Sequence, residues 1–102
     1  MKIINVTPHA IVLNDGTRFE PSGTVARVGV AYSPFVGLFT SQVFGEVQDL
    51  PEEAADTVYI VSAMVLSATS RQDVIAPATG HPGTVRNEKG HIVSVPGFVR
   101  NV

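Results

Sequence analysis

The chain contains no cysteine and no tryptophan. Without cysteine, disulfides and thiolate metal sites are excluded, and a zinc site would have to draw on His9, His81 and His91 with carboxylates. Those histidines are far apart in sequence and form no His-x-His or His-x-x-x-His pair, so no metal is expected. Charge is scarce as well: Asp, Glu, Lys and Arg make up 16% of the chain, against about 25% in ordinary soluble proteins. The seven basic residues are scattered from Lys2 to Arg100 and the net charge is −2. Such a chain has no general attraction to nucleic acid or anionic lipid. No apolar run approaches the roughly 18 residues of a membrane span. The segment Met1-Lys2-Ile3-Ile4-Asn5-Val6 lacks the apolar core and cleavage site of a signal peptide. The expectation is a cytoplasmic protein with neither nucleic acid nor membrane as partner.

Catalytic signatures are missing too. Neither Gly-x-Gly-x-x-Gly nor the Walker pattern occurs, and no serine sits in a Gly-x-Ser-x-Gly elbow. Gly80-His81-Pro82-Gly83 makes a poor phosphate cradle, because Pro82 removes a backbone donor. Ser62, His9 or His91, and Asp73 hold the atoms of a triad without its sequence setting, and Glu52-Glu53 reads as a solvated turn. No enzyme and no cofactor are expected.

What is present is apolar. Hydrophobic residues are 44% of 102, enough for one domain spanning 1–102 and too few for two cores. A small domain has much surface to cover, so the apolar excess points to a homo-oligomer. Ile3-Ile4-Asn5-Val6 reads as a first strand. Ala10–Asn14 and Thr17–Glu20 flank Asp15-Gly16, a hairpin signal for a type I′ turn. Thr24 to Tyr32 reads as a strand with Ala26, Val28 and Val30 on one face and Arg27 on the other. Phe44–Leu50 is a further candidate strand. Between them, Ser33 to Phe44 is broken by Pro34 and Gly37 yet carries Phe35, Val36, Leu38, Phe39 and Val43. A solvated loop is not so greasy, which suggests a segment folded over the core, an oligomer contact or a ligand lid.

Asp56 to Ala68 is the strongest core element. β-formers lead to Ser62, and smaller, better helix formers follow, as when a strand ends and a serine caps a helix. The alternative is one long strand with Val58, Ile60, Ser62, Met64 and Leu66 on a face. Val74-Ile75-Ala76 is a strand stopped at Pro77. Thr84-Val85-Arg86 and His91–Val95 form a second hairpin around Asn87-Glu88-Lys89-Gly90, with Gly90 suited to the left-handed position. The fold class is α+β: a β-rich sheet or partly closed barrel with two hairpins and one main helix.

Polar residues at element ends form a diffuse set: Thr7, His9, Ser22, Arg27, Ser62, Arg71, Asp73 and Arg86. A helix start beside an arginine can hold an anion, which makes Arg71, Arg27 and Arg86 candidate anion contacts. Ser62 and Thr7 are candidate donors, and Tyr59 or Phe39 a stacking surface. The competing reading pairs Arg71 with Asp73 as a structural brace.

Thr7-Pro8-His9, Pro21-Ser22-Gly23 with Ala26-Arg27, Tyr59-Ile60-Val61-Ser62 with Arg71 and Asp73-Val74, and Val85–Gly90 with Ile92 together resemble a family of small, uncharacterised phage and prophage proteins. The likeness covers nearly the whole chain except Ser33–Leu50. It implies a phage accessory protein, placed in the host cytoplasm if phage-encoded, and carries no activity onto particular residues. By analogy of size and origin, such a protein sequesters a small anionic, nucleotide-like ligand as counter-defence. The alternative is an oligomeric protein–protein module, a virion accessory or host-factor inhibitor, working through the Phe35–Phe44 surface.

Overall fold

The computed structural model describes residues 1–101. In chain order the strands are β1 (Lys2–Asn5), β2 (Ile11–Val12), β3 (Arg18–Phe19), β4 (Arg27–Tyr32), β5 (Gln42–Gln48) and β6 (Thr57–Ile60). The helix α1 (Ala63–Ala68) follows, then β7 (Val74–Pro77), β8 (Val85–Arg86), β9 (Ile92–Ser94) and β10 (Phe98–Arg100). The α+β class holds, and the sheets are open rather than closed into a barrel.

The main sheet has the order β1-β6-β7-β10. β1 runs parallel to β6 and β6 parallel to β7, while β10 is antiparallel to β7. Parallel neighbours need a crossover of a dozen or more residues, and Val61 to Asp73, with α1 at its centre, supplies one. Strands buried on both faces read as continuous apolar runs rather than alternating ones, which is why Val58-Tyr59-Ile60-Val61 and Val74-Ile75-Ala76 show no polar interruption. One face places Tyr59, Val61, Val74 and Ala76 against Val65 and Leu66 of α1, with Val28, Val47 and Leu50 packed around them. Ile60 and Ile75 project to the other face, where Phe19 of the β2–β3 hairpin meets Phe98 edge-on at 5.8 Å.

The strand-to-helix change at Ser62 is as the sequence suggests, and the long-strand alternative is excluded. Ser62 is the N-cap, with Oγ accepting from the Val65 N–H at 3.3 Å. The far end of the helix is closed from the tail, because Asn101 Nδ2 donates to the carbonyls of Leu66 (3.2 Å) and Thr69 (2.7 Å). That satisfies carbonyls that a six-residue helix leaves without partners.

Two turns differ from expectation. The first hairpin forms, but not through a type I′ turn. Gly16 has φ +93° while Asp15 stays on the negative side, and Gly16 N–H donates to Leu13 while Leu13 N–H donates to Thr17. This is a three-residue loop with glycine in the left-handed position. Asp15 accepts from the Thr17 N–H (2.9 Å), which holds its carboxyl below the usual range and explains why aspartate rather than glycine precedes Gly16. The second difference is larger. Ser33 to Phe44 does not fold over the core; it is the outer half of a third hairpin, β4–β5, absent from the expected pair.

That hairpin is an arm. Its base lies on the core through Val28 and Val47. A bulge between Val28 and Val30 leaves two residues of β5, Gly45 and Glu46, opposite Gly29. Val47 and Phe44, three apart, therefore share one side of the ribbon with Val28 and Val30. Beyond them the ribbon leaves the body. At its end, Val36 and Phe39 exchange both backbone hydrogen bonds (2.9 and 3.1 Å) around Gly37-Leu38, and Gly37 has φ +62° as a type II′ turn requires. The radius of gyration is 15.2 Å, above the roughly 13 Å of a compact 100-residue domain, consistent with such a projection.

Candidate functional site

The six residues singled out from the sequence do not converge. Arg71 lies past the C-terminal end of α1, not at a helix start, and each of its three guanidinium nitrogens makes a hydrogen bond. Nε donates to Asp73 Oδ1 (2.8 Å), Nη2 to Asp73 Oδ2 (2.5 Å) and Nη1 to the Pro51 carbonyl (2.9 Å). The guanidinium carbon stands 5.9 Å from the centre of the Tyr59 ring. Hydrogen bonding to Asp73 is the main cause that raises the Arg71 pKa and lowers that of Asp73. The Tyr59 ring is 4% exposed and its hydroxyl donates to the Glu52 carbonyl at 3.1 Å, so it offers no open face for stacking. These residues bind the Pro51–Glu53 segment to the start of β7.

Arg27 is on the outer face of β4, opposite Gln48. Arg86 donates to the carbonyls of Gly90 (2.9 Å) and Thr79 (3.3 Å), pinning its own hairpin to the loop after β7. The three arginines thus sit on separate elements and line no common cavity.

Thr7 and Ser62 do come together. Each stands two residues beyond the end of a parallel strand, β1 and β6, and Thr79 stands two beyond β7. With Pro8, His9, Ile11, Val61, Ala63 and Pro77 they line a crevice of about 340 Å³. The carboxyl ends of parallel strands are where open α/β sheets hold their ligands. Here, however, the polar atoms face one another. Thr7 Oγ1 lies 2.6 Å from Asn5 Oδ1 and 2.9 Å from the His9 carbonyl, and Ser62 Oγ caps α1. Every buried side-chain polar atom among the described residues has a partner, and no group of three or more metal-ligating side chains is found among them. The repeated two-residue offset from strand end to hydroxyl was the sequence signal for Thr79, which composition and motif searching passed over.

Asn5 is the hinge pin of this end of the sheet, and the sequence reading gave it no role. It is 2% exposed. Nδ2 donates to the carbonyls of His9 (2.8 Å) and Phe19 (2.9 Å), and Oδ1 accepts from the Thr7 N–H (2.9 Å).

The crevice continues on both sides of Pro77 and Thr79. One extension runs along Ile11, Val12 and Ile92–Val95, the other along Leu66, Ala76, Ala78 and Val99. Across its whole length no Asp, Glu, Lys or Arg lines it.

The arm has the same character in relief. From Val28 to Gly45, eighteen residues pass without one Asp, Glu, Lys, Arg or His. Phe35, Val36, Leu38 and Phe39 are 68–89% exposed, and Tyr32, Val43 and Phe44 are also open to solvent. These make seven of the thirteen large exposed hydrophobic residues among the described ones, so the apolar exposure is concentrated rather than scattered. No helix among the described residues is long and apolar enough to cross a membrane. Three comparisons return no match: no family model fits the chain, no curated protein matches it, and no solved structure resembles it significantly.

Proposed function

We propose that this chain is a protein–protein interaction module that works through the β4–β5 arm. One observation carries the reading: seven large apolar side chains stand exposed on one hairpin that carries no charge from Val28 to Gly45. Contiguous apolar exposure of this kind marks an interaction surface. Long strand edges without charges invite pairing with other chains unless something covers them. The sequence likeness to small phage proteins suits such a role, as a virion accessory or a host-factor inhibitor. A photo-crosslinking residue introduced at Leu38 tests it in living cells. The expected result is a crosslinked adduct larger than the chain, with no adduct when the same residue replaces exposed Asp49. No adduct from position 38 overturns the reading.

A second reading, sequestration of a small anionic or nucleotide-like ligand, draws on the meeting of Thr7, Ser62 and Thr79 at the strand ends. It receives little support from the arginines, which are spread over separate elements. Thermal-shift measurements against cyclic nucleotides and ADP-ribose derivatives test it, since binding to the native state alone raises the melting temperature. No shift with any of them removes this alternative.

A further inference from the structure

We infer that the arm's partner is a second copy of this chain, and that the tip of one copy seats in the Pro77 groove of the next. The inference rests on the interaction-module reading and gives it an occupant. The argument starts from where charge is absent. The chain's sixteen acidic and basic residues are absent from the arm between Val28 and Gly45 and from the lining of the groove around Pro77 and Thr79, where His9 and His81 are the titratable side chains. One is convex and the other concave.

An uncharged knob finds its best-matched receptor in an uncharged hollow, because neither side then strands an ionised group on burial. The neighbouring crevices holding Ile11 and Pro77 measure about 350 and 340 Å³. Those sizes lie within the roughly 300–1,000 Å³ of cavities that enclose organic groups, so a phenyl ring from Phe35 or Phe39 fits the scale. The groove's rim is itself apolar and open, with Ile92 42% and Val93 53% exposed. The seven exposed side chains of the arm offer several hundred Å², on the order of the ~800 Å² that each partner contributes to a standard interface. In the chain's own fold the tip stays in solvent, so the groove is left for another copy.

Knob and groove are different surfaces, so the contact is heterologous and propagates head to tail into a ring or a filament. This gives the inference a sharp test with purified protein. Light scattering on a sizing column should give the wild type a mass of several chains. Phe35→Asp with Phe39→Asp destroys the knob, and Val93→Asp destroys the groove rim; each should fall to the mass of one chain. Mixed in equal amounts, the two variants retain one intact knob and one intact groove between them, and should form a dimer of twice the chain mass. Thr79→Lys provides a second groove variant if Val93→Asp fails to melt cooperatively. A monomeric wild type at high concentration, or variants that associate like wild type, overturns the inference. Failure of the mixed variants to pair overturns it as well, pointing to a symmetric arm–arm contact. If the wild type is monomeric while the Leu38 photo-crosslinker still captures another protein, the inference falls and the interaction-module reading stands.

Discussion

Two regions of the molecule hold opposite kinds of chemistry. Beside the start of β7, Arg71, Asp73, Tyr59 and the Pro51 and Glu52 carbonyls form a circuit in which the guanidinium, the carboxylate and the phenol are all hydrogen-bonded. The arm that leaves the body from β4 and β5 has no charged side chain between Val28 and Gly45 and has seven large apolar ones without cover. A circuit that satisfies itself contributes to folding and has nothing left over for a partner. A surface that is unsatisfied in the monomer is where binding free energy remains to be gained. By this contrast the charged cluster belongs to the frame, and the uncharged segment is the surface proposed for binding.

The contrast can be pressed first at Asn5, which belongs to the frame more completely than the arginine. Asn5→Ala removes the acceptor of the Thr7 N–H and the donor to the Phe19 carbonyl at once, while the His9 carbonyl keeps only the Thr7 hydroxyl. Leaving such groups buried and unpaired costs about 1–3 kcal/mol each where water cannot replace the bond. The expected loss is about 3 kcal/mol, seen as a fall in the urea midpoint with an unchanged slope. A loss under about 1 kcal/mol would mean that solvent reaches this junction.

Arg71→Ala comes next. It leaves Asp73, whose side chain is only 16% exposed, without its charge-assisted pair, at an expected cost of about 2 kcal/mol. The pH dependence follows from the lowered folded-state pKa of Asp73. Its contribution is fully present well above the ordinary value of 3.8 and is lost as pH falls through the lower folded-state value. Wild-type stability should therefore drop on acidification below about pH 4, and Asp73→Asn should flatten that drop while lowering stability at pH 7. An unaltered acid limb in Asp73→Asn would move the brace out of the frame.

Ser62→Ala is milder. Losing one N-cap acceptor costs about 1 kcal/mol, or a fall in melting temperature of roughly 4–8 °C for a domain of this size. Both Ser62 and the brace were visible in the sequence because their partners are local: Val65 lies three residues on, and Asp73 two residues from Arg71. The Asp-Gly turn was visible as a hairpin but not in its type, since turn geometry depends on Asp15 bonding the Thr17 amide. Asn5 and Asn101 were not visible, because their partners stand as far away as Phe19 and Leu66. A lone asparagine carries no pattern. The arm was half legible. Its greasiness could be read directly, but whether apolar residues cover their own core depends on the direction in which β4 and β5 leave it. That direction is fixed by Val28, Val47 and the bulge at Gly45 and Glu46.

The smallest effect on folding is expected where the largest effect on association is. Phe35→Ser with Phe39→Ser alters two rings that are 68% and 78% exposed, and substitutions at such positions change stability by about 0.5 kcal/mol or less. At concentrations low enough to keep the wild type monomeric, its melting curve and the variant's should superimpose. At high concentration only the wild type should gain stability, because a partner that binds the native state adds to it by mass action. A variant that melts several degrees lower at every concentration would place the phenyl rings inside the folding unit, and the arm would then belong with the frame from which its exposure separates it.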